Sequence, residues 1–127
     1  MISKERLEKV LDEAWFAGSK ATDGMVDGYP CGGAYLTAGG NSEIVRAFKK
    51  YGSKHSDYLI LNVIEEKPLS GDRWSVRKSY PTGYVINDPV RRGHGFQNMY
   101  MAIAEVEAMV KVFKSNGLEV SYRSYID

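Results

Sequence analysis

The stretch Trp74-Ser75-Val76-Arg77-Lys78-Ser79-Tyr80-Pro81-Thr82-Gly83-Tyr84-Val85-Ile86-Asn87 decides the fold. Trp74 to Tyr80 alternates apolar and polar residues with a period of two, which is the pattern of a half-buried strand. Pro81-Thr82 is turn material, and Gly83 to Asn87 runs back as a second strand. Together they predict a β-hairpin.

Helical patterns flank this hairpin on both sides. Upstream, Gly33-Ala34-Tyr35-Leu36-Thr37 is a short strand candidate that breaks at Gly39-Gly40. Asn41 then stands as an N-cap, and Ile44, Val45, Phe48 and Tyr51 form a helical stripe over about 42–51, closed by Gly52. Downstream, Met99, Ala102, Ile103, Val106, Val110 and Phe113 predict a helix over 98–116, with Gly117 as its stop. Leu118 to Ile126 alternates again, with Leu118, Val120, Tyr122 and Ile126 on one side. The order is β-α-β-β-α-β. That is the split βαβ, or ferredoxin-like, α+β pattern of an antiparallel sheet with two helices on one face. Right-handed crossovers put both helices on that face.

Two segments decorate the pattern. Residues 3–17 read as an amphipathic helix, capped by Ser3 and stopped by Gly18, with Leu7, Val10, Leu11 and Ala14 on one face. Asp23-Gly24, Asp27-Gly28 and Pro30 follow as loop chemistry. Residues 53–72 are open to two readings. Tyr58 to Ile64 suits a strand, whereas Ser56 suits the cap of a short helix; Pro68 and Gly71 close the stretch. If 58–64 is a strand, a less regular α+β sandwich becomes the alternative fold.

The chain has 127 residues, and residues 1–127 are expected to form one domain. Residues 1–30 make its N-terminal helix and loop, and 31–127 its α+β core. Its 17 Lys and Arg balance 16 Asp and Glu. That balance argues against a protein that coats duplex DNA, which needs a strong positive excess. One cysteine forms neither an intrachain disulfide nor a Cys-based zinc site. No run approaches 18 apolar residues, and the N-terminus lacks the apolar core of a secretory signal. A cytoplasmic location is the expectation, with no membrane partner.

Three groups of residues have the chemistry of a resemblance. They are Cys31-Gly32-Gly33-Ala34-Tyr35-Leu36, then Arg77-Lys78-Ser79-Tyr80-Pro81-Thr82-Gly83-Tyr84-Val85-Ile86, and then Gln97-Asn98 with the helix into Gly117-Leu118-Glu119-Val120-Ser121-Tyr122-Arg123-Ser124-Tyr125-Ile126-Asp127. Over about half the chain these resemble a group of small uncharacterised accessory proteins of tailed phages and prophages. The resemblance implies a setting, not an activity. What it implies is binding of a host factor or a defence signal, in the cytoplasm of the host cell.

Few residues suggest catalysis. Cys31 would need a base or a helix N-terminus to become a nucleophile, and its simpler role is a small buried residue at a strand start. His55 and His94, with Cys31, have no metal-ligand spacing. The expectation is a non-catalytic protein without a cofactor.

The glycine-bearing loops carry more. Gly39, Gly40, Asn41 and Ser42 enter one helix, and Arg91, Arg92, Gly93, His94, Gly95 and Asn98 enter the other. With the first and third core strands taken as parallel neighbours, both helices start at the same end of the sheet. Two helix N-termini then converge, with glycines for close approach and arginines for phosphate. This is the leading functional expectation: capture of a nucleotide or other anionic small molecule, in counter-defence.

Two alternatives have their own residues. Residues 43–54 sum to +3 and residues 73–92 to +4, while residues 1–30 sum to −2. Trp74, Tyr80 and Tyr84 lie in the second basic stretch, a mixture that suits RNA or single-stranded DNA. The nine tyrosines suit a protein interface. That interface serves either inhibition of a host protein or a homodimer covering a sheet face through Tyr35, Tyr84, Tyr122 or Tyr125.

Overall fold

The computed structural model describes residues 1–25, 32–55, 57–61, 74–79, 82–88 and 99–126. They form an α+β domain with three helices and a six-stranded antiparallel sheet. The elements in chain order are α1 (Lys4–Ala21), β1 (Gly32–Ala38), α2 (Glu43–Tyr51), β2 (Ser53–His55), β3 (Tyr58–Leu61), β4 (Trp74–Lys78), β5 (Tyr84–Asn87), α3 (Met99–Ser115) and β6 (Ser121–Ile126). The spatial order is β2-β3-β4-β5-β1-β6.

The predicted hairpin is β4–β5. Lys78 pairs with Tyr84 and Val76 with Ile86. Ser79 donates its N–H to the Gly83 carbonyl at 2.9 Å. Gly83 takes φ +85°, which only glycine enters without steric cost. Of the 53–72 stretch, Tyr58–Leu61 is a strand, and it forms a further hairpin with β2 that the sequence pattern did not signal. Residues 62–73 lie outside the described set.

The pairing of β1 with β5 corrects the sequence expectation. It is antiparallel, with Leu36 opposite Ile86 and Ala38 opposite Tyr84. The physical reason lies in the connections. A helical crossover joins strands that run the same way, here β1 and β2 through α2. The meander from β2 to β5 reverses direction at each turn, so β5 reaches β1 running opposite to it.

Cross-strand register sorts the residues onto two faces. Leu36, Ile86, Val76 and Leu59 form one row, with Leu61 and Trp74 beside it. This face meets the helices. Ile44, Val45, Ala47 and Phe48 of α2 and Val106, Met109, Val110 and Phe113 of α3 join those strand residues in a single core. The Trp74 and Phe113 rings meet edge to face at 6.0 Å. The α1 helix packs on α3 and α2 with Leu7, Val10, Leu11 and Ala14 sealed from solvent.

Helix ends follow local chemistry. Gly18 was the expected stop of α1, yet the helix runs on to Ala21. Gly18 falls on the buried face with Leu7, Leu11 and Ala14. The α3 stop is as expected. Gly117 takes φ +76°, Gly117 N–H bonds Lys114 O at 3.0 Å, and Leu118 N–H bonds Phe113 O at 2.9 Å. That is the paired bond pattern of a Schellman end, with Leu118 buried beside it. Arg6 of α1 donates to the Asn116 side chain at 2.8 Å, tying the two helices at this point. No helix among the described residues is long and apolar enough to cross a membrane.

Candidate functional site

The chain leaves the sheet at Ala38 and turns through Gly39-Gly40-Asn41-Ser42 into α2. Ser42, not Asn41, is the N-cap: its hydroxyl accepts from Val45 N–H at 3.5 Å and donates to Gly39 O at 2.6 Å. Ser42 N–H also bonds Gly39 O, at 3.0 Å, closing the turn. The expectation of Asn41 misses by one residue because both types cap well and the apolar stripe does not fix its own first turn.

This turn borders a cleft of about 810 Å³. Gly39, Gly40, Asn41 and Ser42 all line it, as the sequence suggested. So do residues that the sequence did not place beside this turn: Ser79, Thr82, Gly83 and Tyr84 from the β4–β5 turn, and Glu119, Ser121 and Arg123 from the β6 side. Tyr35 and Thr37 of β1 complete the wall. The register explains the gathering. Thr37 pairs with Ser121 and Tyr35 with Arg123, while Ala38 pairs with Tyr84, so the end of β1 meets the starts of β5 and β6.

The expected convergence of two helix N-termini does not occur. The α3 helix returns the chain to this end of the sheet through Leu118 and Ser121, so its C-terminal end lies nearest the cleft. Its 17 residues span about 25 Å at 1.5 Å each, which carries Met99 toward the other end. The candidates Arg91, Arg92, Gly93, His94, Gly95 and Asn98 lie outside the described residues, as do Cys31 and the side chain of His55.

Charge in the cleft is mixed. Arg123 is exposed at its wall, and Lys49 of α2 places its Nζ 5.1 Å from the centre of the Tyr84 ring, a cation–π distance. Glu119 adds a carboxylate to the lining. In the first turn of α2, the Glu43 carboxylate accepts from Ile2 N–H at 2.6 Å, and the Tyr51 hydroxyl donates to Ile2 O at 2.9 Å. The first turn of α2 therefore already has a negative group on one side, and Arg123 is the stronger attraction for an anion. The backbone stays approachable: a Cβ on Gly39 would meet nothing within 4 Å, and one on Gly40 only the Tyr84 ring at 3.5 Å.

No group of three or more His, Cys, Asp or Glu side chains suited to a metal ion occurs among the described residues. Comparison with protein-family models, curated proteins and solved structures finds no match to the chain.

Proposed function

We propose that the domain is a non-catalytic binding module that holds a phosphate-bearing small molecule, of the nucleotide class, in the cleft beside Gly39–Ser42. The observation that carries this reading is the cleft itself. Its volume of about 810 Å³ suits a small-molecule site, which ranges over about 300–1,000 Å³. Open glycine backbone, the Ser79, Thr82 and Ser121 hydroxyls and the Arg123 guanidinium are donors for phosphate oxygens. Tyr35 and Tyr84 offer rings for a base.

The wider reading follows the strand order. With β2–β3 set aside as an added hairpin, β4-β5-β1-β6 is a ferredoxin-like frame with α2 and α3 as its crossovers. A phage-encoded role in counter-defence belongs to the same proposal, and a gene neighbourhood of anti-defence genes would support it.

The test is calorimetric titration of mono-, di- and cyclic nucleotides into wild type and Arg123→Ala. Loss of a charge-assisted hydrogen bond of about 1.5–3 kcal/mol weakens binding at least tenfold. Arg91→Ala/Arg92→Ala is the companion variant: an equal loss assigns that loop to the same ligand. Nucleotide binding that is identical in all three proteins moves the site elsewhere. No binding by wild type overturns the proposal and favours inhibition of a host protein; binding of short oligonucleotides alone favours RNA or single-stranded DNA.

A further inference from the structure

The two edges of the sheet are built differently. The β2 edge is three residues long and carries Lys54 at its centre. Shortness and an edge lysine are the usual guards against strand pairing. The β6 edge is six residues, Ser121-Tyr122-Arg123-Ser124-Tyr125-Ile126, with no proline or lysine. Tyr125 is 51% exposed and Ile126 67%. Among the described residues, β1 pairs its inner side and no strand pairs its outer side.

Its outward hydrogen-bonding groups can be assigned. A Cβ on Gly32 would collide with the Tyr125 carbonyl, so that carbonyl is turned toward β1. In an antiparallel strand the N–H and C=O of one residue point to the same side, and alternate residues point to opposite sides. Tyr122, Ser124 and Ile126 therefore turn theirs outward.

We propose that β6 pairs with β6 of a second copy of this chain, antiparallel, about a two-fold axis at Ser124. Opposed residues in a continuous sheet share a face, so the axis must pass through a residue and not between two. At Arg123 it would set guanidinium against guanidinium. At Ser124 no pairing is unfavourable: Tyr122 meets Ile126 on the helix side, Arg123 stands opposite Tyr125 on the other, and Ser124 meets Ser124. The outward groups of Tyr122, Ser124 and Ile126 then form about six backbone hydrogen bonds. The strand is thus complementary to itself in backbone hydrogen bonding and in apolar surface, with its one charge opposite no like charge, which is why a second copy fits it. The pairing also sets Tyr125 of the second copy beside Arg123, at the rim of the cleft.

Two six-residue strands bury less than the ~1,200–2,000 Å² of a standard interface, so a weak dimer that needs high protein concentration is expected. Light scattering on a sizing column at about 200 μM should give roughly twice 14.2 kDa. Ser124→Pro removes only an outward N–H, and edge strands tolerate proline there. It should be monomeric with an unchanged melting temperature. Ser124→Lys sets two ammonium groups face to face on the axis and should weaken the dimer at least tenfold. Ser124→Cys in a Cys31→Ser background should cross-link on oxidation and revert with reductant. Opposed Cα atoms of a hydrogen-bonded pair are about 5.5 Å apart, inside the disulfide range. Arg123→Cys in the same background should not cross-link. A wild-type monomer at about 200 μM overturns the proposal and leaves the edge for an extended segment of another protein. A dimer that survives both Ser124→Pro and Ser124→Lys overturns it as well, by placing the interface elsewhere.

Discussion

The two faces of the sheet divide the labour. On the helix side, Leu36, Leu61, Trp74, Val76 and Ile86 are each 0–2% exposed. On the other side β1, β3 and β4 present Tyr35, Tyr58 and Arg77, and β6 adds Arg123 and Tyr125. Gly33, Ser75 and Val85 close its middle, and the flanks stay open. β4 shows the contrast within five residues: Trp74 and Val76 are sealed under helices, and Arg77 is exposed. The connected apolar core therefore lies on one face, while exposed aromatic and basic groups collect on the flanks of the other.

Mutations along this contrast should differ by more than an order of magnitude in equilibrium constant. Trp74→Ala empties the space against Phe113 and should cost about 3–5 kcal/mol, a large part of a small domain's stability. Urea unfolding followed by circular dichroism measures it; a loss below about 1 kcal/mol would erase the distinction between the faces. Tyr125→Ala lies between the extremes. Its ring rests over Gly33 and 6.4 Å from the Tyr35 ring, so about 0.5–1.5 kcal/mol should go, read at a concentration low enough to keep the protein monomeric. Arg77→Ala should stay within about 0.5 kcal/mol of wild type in the same melts, since an exposed guanidinium contributes little to folding.

Much of this architecture was legible in the chain because it rests on short-range rules. The Phe113-to-Leu118 segment announces its own end: an apolar stripe, then glycine, then a buried leucine. Pro81-Thr82-Gly83 announces its turn in the same way. What stayed hidden depends on partners distant in sequence. Period-two alternation says that Tyr35 and Thr37 share a face but not which strand lies beside them. The direction of β5 relative to β1, by contrast, follows from the element order itself: a crossover and one hairpin set β5 against β1, and the β2–β3 hairpin adds two reversals that cancel. The candidate site divides in the same way. Gly39–Ser42 reads as an open helix entry from sequence alone. Arg123 reads as one charge in a C-terminal strand until its pairing with Tyr35 brings it to the cleft. Gly18 misled for a related reason. Glycine marks a helix end locally, but here it lies on the buried face inside a continuing helix.

The strand at the heart of the site has a consequence for the time course of folding. β1 is made early in the chain, yet both its neighbours, β5 and β6, come after the midpoint, and the tie between Arg6 and Asn116 spans 110 residues. Loop closure must be paid for before such contacts repay it, which slows folding relative to a helical bundle of the same size. During synthesis β1 waits for partners until β5, and then β6, have emerged from the ribosome. Its two glycines at the start and two just past its end make that waiting strand a poor template for wrong partners.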